Sequence, residues 1–386
     1  LYTAVKAKKS PLIIFGLLLL ITILPLMWII SLLPGGIVAI TERIPGLPTG
    51  GSRYELAVNT SKLIGDYPFT GGGLRSFPGQ YSHYVLVIPY FLYAYSHNFY
   101  LDVTFEQGII GGLAIFGVIL GAAWMLMANA RWSSTISFRS LLSGSVITST
   151  FVLLLHGLVD DPLYGDLGSP LLLLIPGFAV LLAKEDHAIV QEDQGPDANK
   201  PGNTTGRFIA KPWIPAILIF IFLLGVFILR QPVLAGWYAN IGAVAMAKLD
   251  LADWPQDQWD VNTEIEGLEF AQQQFAKAAS HDPNQRTAWH RSGLIAAQAR
   301  DFDAAQEDLE RAFQIDPEHR GIRKSLGYDY AWNGDLARAA LLLEGIGEAR
   351  DEMEVYTWWW QNNQQPELAE QASNLAQMLK LESNTP

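Results

Sequence analysis

Apolar residues along this chain fall into two patterns. Up to about residue 230 they form unbroken blocks, roughly 12–33, 108–128, 141–157, 168–183 and 213–230; beyond that they recur at helical spacing among charged residues. At about 1.5 Å per residue the first block reaches roughly 33 Å, enough for a hydrocarbon core near 30 Å. The third and fourth blocks are short, and Pro176 interrupts the fourth, so tilt, a kink or partial embedding is expected there. The pattern predicts an all-α protein, a polytopic transmembrane helical bundle followed by a helical domain. Residues 1–184 hold four spans, 185–211 a polar linker, 212–231 a fifth transmembrane helix and 232–386 the helical domain.

Lysine and arginine in the short loops orient the spans. Lys6, Lys8 and Lys9 precede the first, Arg131 and Arg139 separate the second from the third, and Lys184, Lys200, Arg207 and Lys211 precede the fifth. These segments belong on the cytoplasmic side. Segments 34–107, 158–167 and 231–386 are then extracytoplasmic. The basic residues Lys6, Lys8 and Lys9 stand before a span too long for a signal-peptide core, and the opening residue is Leu1, so the chain reads as an N-terminally truncated fragment.

The region beyond 231 repeats. SHDPNQRTAW and QIDPEHRGIR place Asp282-Pro283 and Asp316-Pro317 34 residues apart, with small and large positions in matching register. That period belongs to the tetratricopeptide helix-turn-helix, in which small residues let paired helices approach and a proline ends each second helix. A short right-handed solenoid of about two and a half repeats follows as the expectation, presenting a groove to a protein or glycan partner and dispensable for any chemistry upstream. The triplet Trp358-Trp359-Trp360 reads as its cap, with sugar stacking or membrane contact as the alternative.

Charge sharpens the division. Residues 1–230 carry 14 Lys and Arg against 13 Asp and Glu, a net of +1, whereas 231–386 carry 12 against 25, a net of −13, so the whole of the net −12 comes from the C-terminal region. Nucleic acid is excluded as its partner, because phosphate binding needs clustered cations. The absence of cysteine rules out a disulfide framework, a thiolate nucleophile and cysteine-ligated zinc, and no His-x-x-x-His or carboxylate cluster has metal spacing.

Loop 34–107 is too long and patterned for a passive connection. A helix from about Ser52 carries Arg53; the turn DYPFTGGGLRSF (Asp66 to Phe77) follows; His97-Asn98 then precede Gly108 and Gly111. Over about residues 50–170 these pieces resemble the O-antigen ligase and polymerase family of membrane glycosyltransferases, whose members often append tetratricopeptide repeats. The resemblance implies transfer of a glycan from a polyprenyl-diphosphate-linked donor to a glycan, lipid or protein acceptor, in the inner (plasma) membrane, with no metal and no cofactor.

Such a reaction needs a base for the acceptor proton and positive charge for the departing diphosphate. The implied base is His97, an imidazole whose ordinary range lies near neutrality. Arg53 and Arg75 offer planar forks to phosphate oxygens, and Gly72 and Gly73 allow backbone approach with N–H groups turned to an anion. Arg53 has a second reading as a surface residue reaching lipid phosphates. His156, with Asp160 and Asp161 beyond it, forms a second polar site that is either functional or a structural hydrogen-bonding group. Glu106 is expected to steady the helix entrance or pair with an arginine. Ligation, polymerisation and transfer to protein differ only in the acceptor and stay open. The competing reading is a membrane-anchored tetratricopeptide scaffold recruiting envelope proteins, which explains the tail but not the pattern in the loop.

Overall fold

In the computed structural model, regular structure among the described residues is helical and contains no strand. The structure describes residues 26, 28–29, 51–88, 93–129, 138–160, 172, 174–182, 225, 227, 229–252 and 265–382. The expected first and fifth spans, apart from isolated helical positions, and the 185–211 linker lie outside that set. The helices are α1 (Gly51–Ile64), α2 (Phe77–Tyr81), α3 (Phe99–Asn129), α4 (Phe138–His156), α5 (Arg230–Asp250), α6 (Ile265–His281) and α7 (Arg286–Gln298). Further along come α8 (Phe302–Ile315), α9 (Arg320–Trp332), α10 (Leu336–Leu343), α11 (Ala349–Asn362) and α12 (Pro366–Glu382). A π-helical turn, Ser82–Leu86, directly follows α2.

Two compact units arise that do not follow chain order. One comprises residues 1–32, 97–100 and 111–230, the other 33–96, 101–110 and 231–386. The loop that sequence assigns to the membrane region is therefore grouped with the C-terminal helices.

Helix α3 runs for 31 residues but breaks at Gly108, where φ +72° and ψ 172° suit glycine alone. The expected span began at 108, and that position is the break; helix continues upstream to Phe99. Phe99–Met127 is, among the described residues, the one helix long and apolar enough to cross a bilayer by length and composition; the apolar part of α4, Leu141–His156, is shorter. In the first unit Ala122, Leu126, Ala179 and Leu182 form a buried cluster with Leu142, Val146 and Ile175 packed on it. Leu113, Val118, Val152 and Leu155 face outward instead. Apolar side chains on both faces are what a helix between protein and lipid requires.

In the second unit the 34-residue period becomes visible as physics. Gln285 and His319, 34 positions apart, cap α7 and α9 by accepting backbone N–H groups; Asp301 and Asp335, also 34 apart, cap α8 and α10 in the same way. A β-carbon at Gly293 would run into Leu309, and one at Gly327 into Leu343, so each helix pair closes over a glycine–leucine contact at the same register. Pro283 and Pro317 follow the ends of α6 and α8 by two residues, where they cannot continue the helix. The tryptophan triplet divides: Trp360 is buried against Trp332 and Tyr356, Trp359 packs on the same core, and Trp358 is 63% exposed.

Candidate functional site

Within the second unit, Asp66 to Phe77 forms a turn whose three glycines are bonded inward. Gly71 N–H donates to Tyr67 O at 3.1 Å, Gly72 N–H to Phe105 O at 2.7 Å and Gly73 N–H to Glu106 O at 3.2 Å. The N–H groups of Gly72 and Gly73, expected to meet an anion, are engaged with carbonyl groups in this conformation. What the glycines supply is closeness. Gly71 and Gly108 both have positive φ, and a β-carbon on either would collide with the other's backbone. At Gly72 a β-carbon would lie 2.6 Å from the Phe105 ring.

The turn ends on Arg75, a non-glycine residue at φ +59° with an exposed side chain. Its N–H donates to Glu106 Oε1 at 2.8 Å. Glu106 is thus joined to an arginine through the arginine's backbone, and the guanidinium is directed outward. Arg53 is exposed in the first turn of α1.

Upstream, Asp66 is fully buried among cations. Arg286 reaches Oδ1 at 2.6 Å, Thr287 Oγ1 donates to the same oxygen at 2.7 Å, and the wholly buried Arg291 donates to Oδ2 at 2.8 Å. Burial pushes the carboxyl up, but Arg286 and Arg291 outweigh it and hold Asp66 well below the usual carboxylate range. The Arg291 guanidinium also lies 3.3 Å from the centre of the Tyr84 ring, and Tyr84 donates to Asp250.

Within the first unit, residues 97–100 are fastened to the end of α4. Asn98 Nδ2 donates to Leu158 O at 3.0 Å, Phe99 N–H to Gly157 O at 2.8 Å and Tyr100 Oη to Leu154 O at 2.8 Å. A β-carbon at Gly157 would lie 2.9 Å from that of Phe99, which keeps the two segments in contact. His97 is thereby held at φ +56°, and its Nδ1 meets Asp160 Oδ1 at 3.0 Å, both side chains about one-third exposed. The sequence reading placed Asp160 with His156. His156 is exposed, and its carbonyl accepts the Asp160 N–H at 3.1 Å, so the side chain of Asp160 turns to His97. Asp102, nearer in sequence, accepts the Ser96 N–H.

Sequence reasoning missed Asp160 as the partner of His97, Asn98 as its anchor and Asp66 as an ion-pair hub. Only Asn98, beside the histidine and one residue before a helix, carried a local cap signal.

The described residues thus hold, in one unit, a histidine facing a carboxylate and, in the other, an exposed arginine on a strained glycine turn. Residues 1–116 match the Wzy_C family model, described as O-antigen ligase. Over that stretch the chain is similar to O-antigen ligases, membrane enzymes of polysaccharide assembly. The match includes Arg53, Arg75, His97, Gly108 and Gly111, and stops before His156 and Asp160. No curated protein matches the chain.

Proposed function

We propose that this protein is a membrane glycosyltransferase of the O-antigen ligase type, moving a glycan from a polyprenyl-diphosphate carrier to an acceptor hydroxyl during cell-surface polysaccharide assembly. The observation that carries the reading is His97, held in the left-handed region with Asp160 at 3.0 Å. Strained non-glycine residues concentrate where function requires them. With Nδ1 directed at the carboxylate, proton acceptance falls to Nε2, and Asp160 holds the ring in that orientation.

The acceptor oxygen attacks the anomeric carbon of the donor as the carbon–oxygen bond to the diphosphate breaks. The hydroxyl proton passes to His97, and the electron pair leaves with the diphosphate, whose charge Arg53 and Arg75 would hold. The glycines let the turn pack tightly and do not bind the anion through their N–H groups. His156 stays outside the reaction in this scheme, and the helices beyond 265 are read as tetratricopeptide repeats.

An extracytoplasmic position for loop and tail is part of the reading. The lysine and arginine bias supplies the side, and the grouping of residues 51–88 with the helices from Gln231 on agrees with loop and tail sharing it.

In the full-length protein His97→Ala is expected to lower transfer about 10²–10⁴-fold, the range for a positioned general base, with abundance and donor binding retained. Arg53→Lys keeps charge but loses the fork and is expected to lose activity. Near-normal transfer by well-expressed His97→Ala protein removes the base and brings His156 forward.

A further inference from the structure

Glycine- and proline-rich turns sample many conformations unless their surroundings fix one. The turn before Arg75 is fixed by a residue 170 positions further along the chain. Asn240, in the middle of α5 and wholly buried, accepts the Phe69 N–H at 2.9 Å and the Thr70 N–H at 3.2 Å. Its amide donates to Thr70 Oγ1 at 2.7 Å. Asparagine is a poor choice for a helix interior, because its side chain competes for backbone hydrogen bonds. Here the side chain makes such bonds to another segment, at the two residues that lead into Gly71.

The other side of the turn is held by Glu106, through the Gly73 and Arg75 N–H groups. Between these two attachments the chain takes positive φ at Gly71, Gly73 and Arg75. Left-handed backbone at a non-glycine residue lasts only where its surroundings over-determine it.

The geometry points to Asn240 as a positioning residue for Arg75: by clamping residues 69 and 70 it holds the turn in the form that presents the Arg75 guanidinium to the donor diphosphate. The inference rests on the role given to Arg75 above. It makes the C-terminal region part of the donor site's framework, through α5, rather than a module attached to it.

The test is a double-mutant cycle in full-length protein in membrane vesicles, using as donor the polyprenyl-diphosphate-linked oligosaccharide extracted from cells lacking the protein. Release of polyprenyl diphosphate gives kcat and KM. Asn240→Ala is expected to lower kcat/KM about tenfold or more, mainly through the donor KM. Added to Arg75→Ala it should cause no further loss, because it acts through that residue. Asn240→Asp, whose carboxylate still accepts both N–H groups, should restore most of the rate. If Asn240→Ala does not accumulate, Thr70→Val removes one of the three bonds at an exposed position and should show a smaller loss that is likewise absent in the Arg75→Ala background. Wild-type kinetics in Asn240→Ala, or losses that multiply in the double variant, overturn the positioning role alone. A silent Arg75→Ala variant removes Arg75 from the diphosphate site and overturns the inference with it.

Discussion

Holding a side chain in left-handed backbone costs about 1 kcal/mol or more, and the fold bears that cost at both Arg75 and His97. The carboxylate that faces His97 is the most direct place to examine why. Asp160→Asn preserves shape but removes the carboxylate that orients the His97 ring through Nδ1, so on the proposed mechanism transfer should fall about 10–100-fold. Single-turnover kinetics on the purified variant would separate that loss from a binding defect. Asp66 answers to a different constraint. Asp66→Asn leaves the buried Arg291 without its counter-charge and should destabilise the protein by about 3–5 kcal/mol, read as a lowered thermal midpoint in detergent. None of these pairings was legible in the sequence. His97 and Asp160 are 63 positions apart and Arg291 and Asp66 are 225 apart, and no local pattern announces which carboxylate meets which cation.

At the scale of elements, legibility was high wherever a period existed. The Asp-Pro spacing anticipated the helix ends, and Gly293 and Gly327 stand where their leucines need room. Capping by Asp301 and Asp335 is local chemistry that any reader of the sequence could place. The apolar block from 108 was harder, because polar residues such as Asp102 and Glu106 concealed that helix already runs from Phe99. One element also carries a pH dependence. Asp329, on the buried face of α9, is pushed by burial and by Asp303 and Glu310 from an ordinary 3.8 up to about 7. Its raised folded value means that its contribution to stability is full below about 3.8 and is lost as pH rises through about 7. Asp329→Asn should therefore stabilise the protein at pH 8 by a few kcal/mol, roughly, and change little at pH 4, measured as thermal midpoints at the two values.

At the scale of the whole molecule, chain order misled. Loop 34–107 is expected with the membrane region and the tail as dispensable, yet the described part of the loop, 51–88, groups with the helices from Gln231 on, and Lys324 of α9 donates to Leu86 O at the end of the π-helical turn. Pairing at such separation leaves no trace in composition or periodicity. A chain ending near Pro232 would lack Asn240, Arg291 and Lys324, and it should insert but show no transfer in a donor-release assay. Sidedness can be tested independently, because the chain has no cysteine. An impermeant thiol reagent applied to intact cells should label Ser280→Cys and leave Asn203→Cys untouched; the opposite result would reverse the orientation.

The contact between Lys324 and Leu86 joins residues 238 positions apart. Synthesis proceeds from the N-terminus, at roughly 5–20 residues per second, so residues 66–88 leave the ribosome on the order of ten to fifty seconds before α9 does. Until α5 emerges the turn lacks Asn240, and Arg291 and Lys324 follow later still, so at first its strained backbone has Glu106 but not these later partners. Maturation of the turn before Arg75 is therefore a late event in the life of each nascent chain, and a ribosome stalled before α5 should yield a product whose loop is more open to proteases.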